Sequence, residues 1–294
     1  MEYNVIQIDL AKLGLKKDDS WFLEPLYDIH IGHQNFEAEK YVKRVNAIAE
    51  QTNRSTFIGG DIIDNIPAAD FRLDTRSKDM TMFEDVEQED AFERLTEPLI
   101  NQHKKLLTKK YQRHEDPKTW SDIKIHGALM GNHEYARHYY SSQRFEKAFC
   151  KPAKLKNLED EAVIWFEFYW HSELLRQFTA VVTHGAYGGD QSGGEVNSMQ
   201  RWPAKVDADM FIVGHSHDKR ITDQAQEIFK RGTGKSLKMF ERTLIFANGG
   251  TFLKTHNFGI RNYPEKKAIR SRVSKIGTIT IEMVPYDGDL KGHL

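Results

Sequence analysis

The chain reads as an α/β protein with a layered core and a mixed or two-sheet arrangement. Three observations predict this. Strand-like apolar runs alternate with helical patterns through the first half, and the second half is richer in strands. Five polar blocks each follow an apolar run, which is where open α/β sheets present their sites. The 294 residues are ample for a buried core, and no repeat or Pro/Gly-rich linker divides them. We therefore expect a single domain over residues 1–294, with a helical excursion at about 65–120 between two of the blocks.

The elements follow from periodicity. Residues 22–27 (FLEPLY) read as a strand running into Asp28. Tyr41, Val42, Val45, Ile48 and Ala49 place one apolar face on a helix over 37–52. Thr56 to Ile58 is a short strand into Gly59-Gly60. Phe92, Leu95, Leu99 and Leu106 recur at helical spacing within 86–110. Ile123 to Met130 reads as a strand and Tyr135 to Phe149 as the helix after it. Residues 162–170, 178–183, 210–213, 243–247 and 276–284 complete the strands.

Bulk properties exclude several function classes. A net charge of −1 gives no global field toward polyanions or membranes. Cys150 is the only cysteine, so no internal disulfide forms and a reducing compartment is expected. The start MEYNVIQIDLAKLG lacks the pattern of a signal peptide. No apolar run approaches the ~20 residues of a membrane span. A soluble, cytoplasmic protein with no membrane partner is the expectation; oligomeric state is not legible.

The five blocks carry the chemistry. They are Asp28-Ile29-His30, Gly60-Asp61-Ile62-Ile63-Asp64, Gly131-Asn132-His133-Glu134, His184-Gly185 and Gly214-His215-Ser216-His217. In a strand, residues i and i+2 share a face, so Asp28 with His30, and His215 with His217, are expected to face a cation together. Asp61 has two carboxylate oxygens and is the natural bridge between two ions; Gly59 and Gly60 let the backbone turn beside them. Asn132 adds a neutral oxygen and His184 a further nitrogen. Mixed N and O ligation suits Mn, Fe, Zn, Co or Ni better than Ca. Two such ions about 3.5–4 Å apart share a hydroxide and clamp a phosphate oxygen. His133 follows the ligand Asn132 and points elsewhere, placed to stabilise the transition state or protonate the leaving oxygen. Asp64 is expected to orient His133.

These blocks resemble those of the calcineurin-like metallophosphoesterase superfamily, whose pattern is D-x-H, G-D-x-x-D, G-N-H-E/D, H and G-H-x-H; every part is matched within residues 28–217. The resemblance implies a four-layer sandwich of two mixed β-sheets flanked by helices. It implies one metal on Asp28, His30, Asp61 and His217, and another on Asp61, Asn132, His184 and His215. It implies that His133 is catalytic and paired with Asp64. Asn65 and Met130 stand where protein phosphatases carry phosphate-binding arginines, which argues against that branch. Asp28 to Gly32 is more similar to the DNA-repair exonuclease branch and its phage relatives. The function implied is a dinuclear, Mn-dependent phosphodiesterase acting by metal-bound hydroxide attack on a phosphate ester, with DNA or RNA as candidate substrate. The alternative is a phosphomonoesterase acting on a nucleotide, sugar phosphate or phosphoprotein.

The remaining features are read more plainly. Glu134 reads as a first-turn acid favoured by the helix dipole. His33 reads as a solvated loop histidine, and His126 as a structural one. His256, the glycine-rich loop from Gly185 to Gly194, and the basic run 254–275 with Phe258 and Tyr263 are candidate surroundings of the site. Gly232 to Ser236 lacks the first glycine of a phosphate-binding loop.

Overall fold

The computed structural model describes residues 1–64, 77–82, 84–112, 124–138, 142–185, 198–231, 237–254 and 275–294. Its strands, in chain order, are β1 (Glu2–Asp9), β2 (Trp21–Leu23), β3 (Arg54–Ile58), β4 (Ile125–Ala128), β5 (Glu161–Trp170), β6 (Glu173–Thr183), β7 (Met210–Val213), β8 (Lys219–Arg231), β9 (Leu237–Thr251), β10 (Gly277–Thr278), β11 (Thr280–Val284) and β12 (Asp289–His293). The helices are α1 (Ala38–Glu50), α2 (Asp85–Gln112), α3 (Asn132–His138), α4 (Ser142–Phe145) and α5 (Lys151–Ala153), with a π-helical turn over Glu146–Cys150.

One sheet runs β1-β5-β6-β7-β9-β10, with β8 also on β9; the other runs β12-β11-β2-β3-β4. Both are mixed. In the first, β1/β5, β6/β7 and β7/β9 are parallel while β5/β6 and β8/β9 are antiparallel. In the second, β2/β3/β4 are parallel and β11 is antiparallel to both its neighbours. This is the expected class: two mixed sheets with flanking helices.

The sheets pack face to face through one apolar layer. Ile6 and Ile8 of β1 and Phe166 and Phe168 of β5 meet Trp21 of β2 and Ile281 of β11 there. A second layer covers the other face of the five-stranded sheet, where Tyr41, Val45 and Ile48 of α1 join Phe92 and Leu99 of α2. Helix α1 has no side-chain cap, so its stability comes from those three fully buried side chains, roughly 5–9 kcal/mol in transfer terms. On the outer face of the seven-stranded sheet the described layer is thinner: Met199, Ala208, Trp202 and Val206 cover Phe211 and Phe246.

The differences from sequence have physical reasons. The strand expected over 22–27 is regular only to Leu23, yet the Glu24 and Leu26 amides go on donating to the Ser55 and Phe57 carbonyls, at 2.9 and 3.0 Å; Pro25, which has no N–H, falls between those donors. The helix expected from Tyr135 begins at Asn132. Strand β1 lies outside the expected set, although Ile6 and Ile8 alternate inward. Strand β8 is mostly polar and has no alternation to find. Residues 65–76 and 113–123 of the excursion lie outside the described residues, as do His114, His256, residues 186–194 of the loop, residues 255–274 of the basic run and Gly232 to Ser236. Cys150 is buried, and burial, then Glu146 and Glu159, push its thiol up to about 12, so it is inert near neutrality. No helix among the described residues is long and apolar enough to cross a membrane.

One side chain ties the two sheets together beside the ligand loops. A Cβ on Gly59, Gly214 or Gly249 would fall 2.2 Å or less from the Tyr27 ring, so three glycines form the slot it fills. Its hydroxyl donates to the carbonyls of Thr183 and Ile212, at 3.0 and 3.3 Å, at the ends of β6 and β7. Tyr27→Phe is expected to cost about 1 kcal/mol in urea unfolding, the worth of a hydrogen bond exchanged for water. No shift in the unfolding midpoint contradicts a tethering role.

Candidate metal centre

The ligand loops are held by backbone bonds that extend the β2–β3 pairing past the strand ends. The amides of Ile29 and His30 donate to the Asp61 carbonyl, at 2.9 and 3.0 Å, and that of Asp64 donates to Ile31 at 2.7 Å. The Asp28 carbonyl accepts from Phe252 N–H at 3.0 Å and from the Thr251 hydroxyl at 2.8 Å. Asn248 Nδ2 donates to the Ser216 hydroxyl at 2.6 Å and so supports the His215–His217 loop.

The period-two argument for these pairs does not hold. Asp28, His30, Asp61, His215 and His217 have φ of 47°, 56°, 48°, 68° and 57°. None of them lies in a strand; the paired side chains converge because each loop turns through left-handed conformations. Such a conformation costs a non-glycine residue roughly 1–2 kcal/mol. Five of them approach the whole ~5–15 kcal/mol stability of a domain, so the surrounding contacts must hold them.

Much of that restraint comes from Glu134. It is fully buried, and its Oε2 accepts the amides of Asp61 and Gly131 at 3.0 and 2.9 Å. Its Oε1 accepts those of Ile62 and Ile63 at 2.7 and 3.2 Å. One carboxylate thus clamps the Asp61 loop to the Asn132 loop. The fit is tight: a Cβ on Gly131 would lie 2.1 Å from the Asp61 nitrogen. The first-turn reading of Glu134 understates it.

All seven candidate ligands come together. Asp28, His30 and His217 present donor atoms within 4.8 Å of one another, and so do Asp61, His184 and His215. His30 Nε2 is 3.1 Å from His217 Nε2, and His217 Nε2 is 3.6 Å from Asp28 Oδ1. Asn132 Oδ1 is 3.1 Å from His184 Nε2 and 2.7 Å from His215 Nδ1. Asp61 Oδ2 stands between the groups, 3.8 Å from His30 Nε2 and 3.3 Å from His184 Nε2. Metal–donor bonds of about 2.1 Å put neighbouring donors ~3.0–3.4 Å apart in octahedral or tetrahedral shells. The donor spacing therefore fits divalent cations, and the donor chemistry fits the transition-metal set.

Second partners fix the rings. His184 Nδ1 lies 2.9 Å from the Gly59 carbonyl, and His30 Nδ1 lies 3.3 Å from Asp64 Oδ1, so each turns Nε2 toward the centre. Burial, then His133, pushes His30 down to about 3, and burial, then His30, holds His217 well below its ordinary value. Both keep a free ring lone pair at neutral pH. Burial opposes ionisation of Asp61, but His184, His133 and His30 hold its carboxyl well below the usual range. Burial also opposes charge on His184, yet Asp61 draws it up to about 10.

His133 and Asp64 sit beside this cluster. His133 Nε2 is 4.0 Å from Asp61 Oδ2, and its backbone amide donates to Asp61 Oδ1 at 2.9 Å. Its Nδ1 is 3.7 Å from Asp64 Oδ1, beyond a hydrogen bond. Asp64 is thus closer to His30 than to the histidine it was expected to orient. His33 is buried, not solvated: its Nδ1 accepts the Asn35 amide at 2.9 Å. The segment Ser77–Asp79 pairs with the loop at Gly32 to Gln34 and brings buried Lys78 into the electrostatic reach of Asp64. His126 is buried edge-on against Phe166, as a structural histidine should be.

Residues 28–219 match the family model described as calcineurin-like phosphoesterase, from the first candidate ligand to just beyond the last. Among solved structures, the chain is similar to a conserved uncharacterised protein of Streptococcus pneumoniae, a predicted phosphoesterase. That likeness is at 11% identity over 93% of this chain and 97% of that one, with a TM-score of 0.34. No curated protein matches.

Proposed function

From the premise that the chain belongs to the calcineurin-like phosphoesterase family, we propose that it is a dinuclear, Mn-dependent phosphodiesterase acting on nucleic acid. The observation that carries this is the pair of donor groups meeting at Asp61. In this reading Asp28, His30, Asp61 and His217 hold one cation, and Asp61, Asn132, His184 and His215 the other; His184, which Asp61 keeps protonated in the metal-free site, gives up its proton when it ligates. The cations, when bound, supply Lewis acidity that makes water nucleophilic near neutrality and neutralises phosphate charge.

The chain's own side chains do the rest. Neutral His30 and His217 offer lone pairs, and ionised Asp61 offers charge to both groups. Asn132 contributes an oxygen without adding negative charge that would repel a phosphate. His133 lies at the edge of the cluster, where its Nε2 protonates the departing oxygen. Asp64 orients His30 and adds a field at His133. Met130, at the position where protein phosphatases carry an arginine, is apolar and buried, which favours a diester over a doubly charged monoester. The basic run 254–275 is the sequence feature that supports a polyanionic strand as substrate.

The test is hydrolysis of bis-p-nitrophenyl phosphate with Mn. We expect turnover by the wild-type chain, a slower rate on p-nitrophenyl phosphate, and loss of at least about a thousandfold in His217→Ala. Full activity in His217→Ala defeats the ligand assignment. A faster monoester rate reverses the choice of substrate class.

A further inference from the structure

A cavity of about 370 Å³ opens beside the Asn132 and His184 side of the cluster, within the roughly 300–1,000 Å³ of ligand pockets. Its lining divides by burial. Met130, Met199 and Val213 are buried and form an apolar floor. Tyr135 is 45% exposed and Trp202 half-buried, so both offer ring surface to a ligand. Asp160 and Glu161 are exposed and also line it, as does Ser198; the Thr183 hydroxyl there is engaged with the Asp160 carbonyl and the Gly185 amide. None of the described residues lining it is lysine or arginine.

This chemistry selects its occupant. Two carboxylates with no compensating cation among the described lining residues disfavour a second phosphate, which favours an uncharged or cationic group here. An apolar floor beside two aromatic rings suits a flat group better than a sugar or an extended peptide. Carboxylate and hydroxyl acceptors among its lining residues suit exocyclic amino groups. Adjacency to Asn132 and His184 places that group one linkage from the phosphate. We propose that this cavity seats a nucleobase, so that the ester cleaved at the donor cluster is that of a nucleoside whose base lies on Tyr135 and Trp202. This rests on the reading of the cluster as a phosphoester site, and it names the substrate group next to the phosphorus.

Calorimetry on the full chain with Mn tests it, using AMP and ribose 5-phosphate, which differ only by the base. We expect AMP to bind at least about tenfold more tightly, the order of a stacked base. Trp202→Ala and Tyr135→Ala should each bring AMP to within about threefold of ribose 5-phosphate. Trp202 also packs edge-on against Phe211, at 6.1 Å, so the exposed Tyr135 is the safer variant for folding. Equal affinities in the wild-type chain, or an AMP preference unchanged in Tyr135→Ala, overturn the proposal. If that happens while bis-p-nitrophenyl phosphate is still hydrolysed, the base pocket falls and the phosphoesterase reading stands. If neither ligand binds and no ester is hydrolysed, both fall.

Discussion

Glu134→Gln is expected to destabilise the chain by roughly 3–5 kcal/mol and to abolish Mn binding. The side chain keeps its size, so the effect isolates the second oxygen. Each carboxylate oxygen accepts two backbone amides. Glutamine must turn an NH₂ toward one pair, and flipping the amide only changes which pair is lost. Two buried N–H groups then face a donor; leaving such groups unmet costs about 1–3 kcal/mol each. Breaking a buried charged contact costs about 3–5 kcal/mol. The loss removes much of a typical ~5–15 kcal/mol stability and releases the left-handed Asp61. There is also a reason for metal to reinforce the clamp. Burial, then the nearby Asp61 carboxylate, pushes the Glu134 carboxyl up, and a cation on Asp61 relieves that repulsion. Urea unfolding with and without Mn, together with calorimetric Mn titration, reads both effects. A variant that unfolds at the wild-type midpoint and binds Mn as before removes Glu134 from the design.

The same residue shows where sequence reasoning stops. The candidate ligands stand out in sequence because their chemistry is in their residue types: aspartate, asparagine and histidine after apolar runs have few other uses in such number. Strand β7 coincides with the expected 210–213 because MFIV is buried at every position. Glu134 carries no comparable signal. An acid in a helix's first turn has a sufficient local explanation, and its four partners come from two loops that meet only in the fold. Tyr27 is similar: the glycines around it, Gly59, Gly214 and Gly249, are far apart in sequence. Among the candidate ligands, the convergence was legible and its backbone cause was not. Alternation suggests a strand, whereas the backbone uses left-handed turns, which aspartate and histidine enter more readily than most residues but which no spacing in the sequence announces. His33 is the converse case, a loop residue buried by a segment, Ser77–Asp79, whose pairing with it leaves no pattern.

The roles of His133 and Asp64 separate by what each variant loses. His133→Ala is expected to lower kcat by about 10²–10⁴ while Mn content stays at the wild-type level; His133 does lie within 4.8 Å of His30 and Asp64 donor atoms, so a fall in Mn content would instead make it a ligand. If its Nε2 protonates the departing oxygen, the loss depends on the leaving group. A diester that expels p-nitrophenolate needs little protonation and should be least affected; an alkyl leaving group such as a ribose oxygen should carry the full loss. Charge stabilisation at phosphorus would give the same factor for both, which makes the ratio of the two losses diagnostic. Asp64→Asn should behave differently. Its Oδ1 is 3.3 Å from His30 Nδ1 and 3.7 Å from His133 Nδ1, so it acts first on a candidate ligand. An outer partner of a metal-binding histidine is typically worth about 10–100-fold in metal affinity. Weaker Mn binding in Asp64→Asn, recovered in rate at saturating Mn, therefore assigns Asp64 to His30. An unchanged Mn affinity with a kcat loss equal to that of His133→Ala, and no further loss in the double variant, would return it to His133.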